Sequence, residues 1–98
     1  IILTTLLILL LIGVIKMFDV NELLDVAICE TKNLIEGEIF LVRDLFKGYI
    51  WKRIPRKDRL LLGVLFLNSV MKMNGNIKAI KKTSSNQQLY KVLDIQNL

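Results

Sequence analysis

PRKDRLLLGVLFLNSVMKMNGNIKAIKKTSSNQQLYKVL, residues 55–93, reads as a long helix, a stop and two strand-like runs. Pro55 suits the first helical turn, where its fixed φ and missing donor cost nothing. The helix should run from about Pro55 to Met73. Arg59, Leu62, Gly63, Phe66, Val70 and Met73 line one face, with Gly63 allowing a close neighbour. Asn74-Gly75-Asn76 ends it. Ile77 to Lys82 and Gln87 to Leu93 then form two strands, joined by the polar turn Thr83-Ser84-Ser85-Asn86.

Upstream, Leu45 to Trp51 reads as a brief helix that Asp44 can cap and Gly48 weakens. Glu38 to Arg43 is short, β-branched and aromatic, and reads as a strand. Before it, Asp19 to Glu22 has the spacing of a capping box, and Phe18 and Leu23 fit a hydrophobic staple. Val20, Leu23, Leu24, Ala27, Ile28, Leu34 and Ile35 recur at helical spacing as one apolar stripe, which Gly37 is suited to end. The order is therefore α-β-α-α-β-β with a C-terminal hairpin. That is an α+β, winged-helix-like layout over residues 17–93, with 94–98 as a loose tail.

Residues 1–16 stand apart. Ile1 to Ile15 is uncharged and interrupted only by Thr4, Thr5 and Gly13. As a helix it would be roughly 22 Å long, short of the roughly 30 Å hydrocarbon core of a bilayer. It lacks the basic start and the cleavage site of a secretory signal. Codons for Gly13-Val14 can spell a purine-rich element just ahead of Met17, so the favoured expectation is a translated leader with Met17 as initiator. The alternative is a short membrane anchor.

The charge is sorted along the chain. From Met17 to Val42 one Lys faces six acids, a net of −5; from Arg43 to Lys91 twelve Lys/Arg face two Asp, a net of +10. A basic half favours a polyanion as partner, nucleic acid or anionic lipid. The chain has no His, which removes the commonest neutral-pH base and metal ligand. Its single cysteine, Cys29, excludes an intramolecular disulfide and a cysteine-rich zinc site. Cys29 falls on the apolar side of the first helix, where a buried structural thiol is expected. Ser84-Ser85 has no histidine to activate it, and the acids lie scattered. No metal, cofactor or catalytic centre is expected, and a reducing cytoplasm suits the cysteine usage.

Glu38-Ile-Phe-Leu-Val-Arg-Asp-Leu-Phe46 with Trp51, then Ile54-Pro-Arg-Lys-Asp-Arg-Leu-Leu-Leu-Gly63, Phe66 and Val70, and finally Lys82-Thr-Ser-Ser-Asn-Gln-Gln-Leu-Tyr90 form a spaced set. Over roughly Gly37 to Lys91 the chain resembles a small bacterial domain-of-unknown-function family. That family is seen mainly in Gram-positive chromosomes and mobile elements. The resemblance implies a compact winged-helix-type fold and lends no activity. Residues 1–16 fall outside the pattern.

Two basic clusters are the candidate site. Lys52, Arg53, Arg56, Lys57 and Arg59 surround the start of the long helix, where free amides and cationic side chains can seat a phosphate. Lys78, Lys81, Lys82 and Lys91 lie around Ser84, Ser85, Asn86, Gln87 and Gln88 in the wing. There lysines bind a backbone as point charges while amides and hydroxyls set register. A solvated helix end and a lysine-protected edge hairpin are the plainer readings of the same residues. Trp51, Tyr49 and Tyr90 have the faces to stack on bases but sit at core-edge spacings.

One feature opposes base reading: Leu60, Leu61, Leu62, Val64, Leu65 and Leu67 make the long helix apolar almost all round. Base edges need polar partners, and a helix apolar on every side is usually covered. The expectation is thus a small non-enzymatic accessory or regulatory protein that contacts the backbone of double-stranded DNA. It is a mobile-element factor if the resemblance guides the role. The alternative is a protein-interaction module or homodimer of the same fold, using Leu61, Val64, Leu65 and Leu67. A membrane-tethered variant of it depends on residues 1–15.

Overall fold

A computed structural model describes residues 19–73 and 75–93. The expected leader at 1–16, the expected initiator at Met17, the Phe18 half of the expected staple and the expected tail at 94–98 lie outside the described residues. Helix α1 spans Val20–Glu30, and a 3-10 turn, Thr31–Asn33, follows it. Strand β1 is Ile39–Phe40 and leads into a second 3-10 turn, Val42–Leu45. Helices α2 (Gly48–Arg53) and α3 (Arg56–Lys72) precede the hairpin of β2 (Ile77–Lys82) and β3 (Gln88–Val92). Among the described residues the strands form one antiparallel sheet in the order β1-β3-β2. The fold is α+β with its helices ahead of a C-terminal hairpin, the winged-helix-like layout expected from the sequence.

Helix α1 begins at the expected cap: Asp19 is extended and its carboxylate accepts from the Asn21 N–H at 2.9 Å, while the Glu22 half of the expected capping box is not formed among the described residues. It ends earlier than the apolar stripe implies. Thr31 donates its hydroxyl to the Ile28 carbonyl, the chain tightens to a 3-10 turn, and Leu34 is extended. Ile35 is consequently 71% exposed rather than on the core stripe. Gly37 serves a different bend, adopting φ +89° in the turn into β1. Cys29, expected to be buried, is exposed. Leu23 and Ala27 define the buried side, with Leu24 and Ile28 beside them. Cys29 is one residue, or about 100°, beyond Ile28.

Strand β1 is only two residues long, because the chain folds into the 3-10 turn at Val42. Asp44 closes that turn by accepting from the Leu41 N–H at 2.9 Å, so it caps backwards and leaves α2 uncapped by a side chain. The β1–β3 pairing continues through Gly37 N–H to the Val92 carbonyl and Val92 N–H to the Glu38 carbonyl.

The core lies between α1, α3 and one face of the sheet. Phe66 stands edge-on to Tyr90, with centroids 5.0 Å apart, and to Phe40 at 6.3 Å; Phe40 and Tyr90 stack at 5.6 Å. Such pairs add about 0.5–1.5 kcal/mol each beyond the area they bury. A second cluster of Leu23, Ile54 and Leu62 joins the start of α3 to α1 and α2. From α3 the buried residues are Leu62, Phe66 and Val70, at strict i, i+4 spacing. Met73, expected on this face, is exposed. A Cβ at Gly63 would meet nothing within 4 Å, so this glycine permits no close packing.

Direction along α3 sets where the hairpin goes. Ile77 follows the helix end by a few residues and pairs with Val92. Two residues on, Ala79 pairs with Tyr90, whose ring meets Phe66 in the middle of α3. Strand β2 therefore starts near the end of α3 and passes the middle of that helix at Ala79. In the hairpin turn the Thr83 carbonyl accepts from Asn86 N–H, and Asn86 takes φ +67°, a type I turn closed by a left-handed residue.

Candidate nucleic-acid interface

The junction of α2 and α3 is built by a sharp break at Ile54-Pro55. Ile54 is extended and buried against Leu23 and Leu62, as residues before proline prefer. Pro55 occupies the cap of α3 and supplies no side-chain acceptor. The N–H groups of Asp58 and Arg59 bond the Pro55 carbonyl, so the first amides of α3, those of Arg56 and Lys57, remain for water or an anion. Lys52, Arg53, Arg56 and Lys57 are all exposed around this open end. Arg53 rests its guanidinium over the Tyr49 ring, 5.2 Å from the centroid.

Arg59 behaves differently. Its Nε donates to the Ile54 carbonyl at 2.8 Å, an Nη donates to the Lys52 carbonyl at 3.2 Å, and the guanidinium lies over Trp51 at 5.6 Å. It is half-buried and clamps the last carbonyls of α2 to the first turn of α3. Trp51 also packs on Phe46, with centroids 5.8 Å apart. Tyr90 is wholly within the core, where desolvation pushes its phenol up to about 12. Of the three aromatic residues considered for base stacking, only Tyr49 is exposed.

The wing cluster divides into two places. Lys81, Lys82 and Asn86 are exposed at the turn end of the hairpin. Lys78 and Lys91 sit further back, directly opposite each other across β2 and β3, with Ile39 of β1 next in the row. Cross-strand like charges repel, so this pair would gain from an anion placed between or above it. The strands also carry a bulge: Ala79 pairs with Tyr90 and Lys82 with Gln88, which sets three steps of β2 against two of β3. Gln88 turns its amide onto the irregularity and donates to the Ile80 and Leu89 carbonyls at 3.0 Å. A residue read from sequence as a polar wing contact thus satisfies backbone instead.

Helix α3 presents Leu60, Leu61, Val64 and Met71 to solvent, opposite its buried face. Leu65 and Leu67 are half-buried at the margins. Leu60 and Met71 were not among the surface residues expected from sequence, although the same helical wheel contained them. The acids of the first half, Asp19, Glu22, Asp25, Glu30, Glu36 and Glu38, are exposed as well. Among the described residues no group of His, Cys, Asp or Glu is placed to hold a metal ion, and no helix is long and apolar enough to cross a membrane.

No curated protein and no solved structure matches the chain. A family model does, and its match begins within α1 and ends in β3. The chain belongs to the family of the domain of unknown function DUF1413, matched over residues 25–91.

Proposed function

We propose that this protein holds the sugar-phosphate backbone of double-stranded DNA, as a small accessory or regulatory binding module without catalysis. The observation that carries the reading is the open end of α3, where unbonded amides and the exposed Lys52, Arg53, Arg56 and Lys57 converge. A helix start of this kind favours phosphate by both dipole and donors. The hairpin turn supports it with three further exposed side chains suited to a phosphate backbone, Lys81, Lys82 and Asn86. Base reading has no support, because the exposed face of α3 offers Leu60, Leu61 and Val64 where polar side chains are needed. Contact should therefore be led by the backbone and indifferent to sequence.

A gel shift of the full chain with random-sequence duplex, first at low and then at rising salt, tests this. Retention at low salt that fades as salt rises supports it, and no shift at low salt ends it. Arg56→Glu and Lys81→Glu should each weaken binding. If neither does, the surface is wrong.

A further inference from the structure

The sheet has an outer side that the core does not use. Phe40, Ala79, Tyr90 and Val92 belong to the core, and side chains alternate along a strand, so their neighbours Ile39, Lys78, Ile80, Leu89 and Lys91 lie on the outer side. Register orders them: Ile39, Lys91 and Lys78 form one row across β1, β3 and β2, and Leu89 and Ile80 follow it. Ile39 is 57% exposed and both lysines are exposed. Ile80 and Leu89 are half-buried, yet among the described residues neither packs against the buried core. We propose that this outer face rests on the surface of an anionic phospholipid bilayer, with the lysines at the headgroups and the three apolar side chains at the acyl boundary.

Charge gives the sign of the partner. Strands β2 and β3 contain four lysines and no acid. Lys78 and Lys91 stand opposite each other on strands about 5 Å apart, a repulsion that a plane of anions relieves. The apolar side chains then choose among anions. A duplex offers phosphates but little apolar surface to Ile39, Ile80 and Leu89, whereas a bilayer interface offers both. Shape agrees, because the outer side of a sheet is broad, and the major groove takes a helix or a two-stranded ribbon.

The small number of contacts sets the strength. A lysine near an anionic surface raises affinity by about fivefold, so the contact is weak, reversible and screened by salt. It uses none of Lys52, Arg53, Arg56 and Lys57, and it stands or falls apart from the proposed function. Any lipid affinity of the uncharged run Ile1 to Ile15 would not depend on headgroup charge. A requirement for anionic headgroups is therefore the mark of the sheet face.

Co-sedimentation of the full chain with phospholipid vesicles at low salt tests it. Vesicles of mixed phosphatidylcholine and phosphatidylserine should bind the chain more tightly than vesicles of phosphatidylcholine alone. Lys78→Ala combined with Lys91→Ala, with fold verified by circular dichroism, should lower the affinity for the anionic vesicles by about twenty-five-fold. Ile39→Asn, at an exposed site, should lower it several-fold and leave duplex retention as it was. No binding to anionic vesicles, equal binding to both kinds, or anionic binding unchanged in the double variant would overturn the proposal. So would a double variant that loses duplex retention in a chain that vesicles never bind, because the face would then belong to nucleic acid.

Discussion

Replacing Arg59 with Ala removes the clamp between α2 and α3, and its cost can be worked from three contacts. The bond from Nε to the Ile54 carbonyl, 2.8 Å and part-buried, is worth about 1.5 kcal/mol as a charged donor to a backbone acceptor. The longer bond to Lys52, at 3.2 Å in an exposed setting, adds little. The stack on Trp51 at 5.6 Å adds about 0.5 kcal/mol. The sum of about 2 kcal/mol should lower the melting temperature by about 10 °C in a domain of this size. Arg59→Lys keeps the charge but not the fork, so it should recover less than half of the loss. Circular dichroism melts of the full chain measure both variants. Trp51 fluorescence reports the junction itself, since this is the chain's single tryptophan. Arg56→Ala is the control: that side chain is exposed, so its loss should weaken DNA retention and leave the melt unchanged. If Arg59→Ala melts within about 1 °C of the parent, the clamp does not hold the junction and the reasoning fails.

Two further outcomes follow from the core. Phe66→Ala should cost about 3–5 kcal/mol in urea unfolding, because the ring is 1% exposed and packs edge-on to both Phe40 and Tyr90; a loss below about 1 kcal/mol would contradict the packing. Tyr90 links stability to alkaline pH. Its phenol titrates at about 12 folded against 10.0 free, so the folded state holds the proton more tightly. Stability from this group is intact below pH 10 and falls by up to about 1.4 kcal/mol per pH unit as pH rises from 10 towards 12. Tyr90→Phe should be nearly neutral at pH 7 and should flatten that decline. An equal decline in both proteins would show that other groups cause it.

The larger elements were legible because their signals are local. The cap at Asp19, the break at Pro55 and the turn at Thr83 to Asn86 place helix starts and hairpin by side-chain chemistry alone. The end of α1 was not legible, since Leu34 and Ile35 keep the helical period while Thr31 bonds the Ile28 carbonyl and tightens the chain. Asp44 has two possible directions for its carboxylate, and only the fold shows that it closes the turn behind it. In the candidate site, sequence gathered Arg59 with its neighbours because all are cationic. The clamp on Ile54 and Lys52 depends on a bend of the chain that charge does not announce. Lys78 and Lys91 were grouped with the wing by proximity in sequence, but strand register moves them to the outer face of the sheet. Which side of α3 stays open was hidden for another reason. Leucines surround the helix, and which of them remain uncovered is decided by where α1 and the sheet pack.

The central claim, that the basic end of α3 and the hairpin turn hold a DNA backbone, is tested most directly by the salt dependence of binding. Fluorescence anisotropy of a labelled random duplex, titrated with the full chain between about 50 and 200 mM salt, gives the slope of log affinity against log salt. Four junction cations and two hairpin lysines predict a slope of about −5, with affinity falling about a thousandfold over that range. Duplexes of different sequence should give the same line. Lys81→Glu should make it shallower by at least about one unit. No binding at the lowest salt, or a slope near zero, would contradict the account.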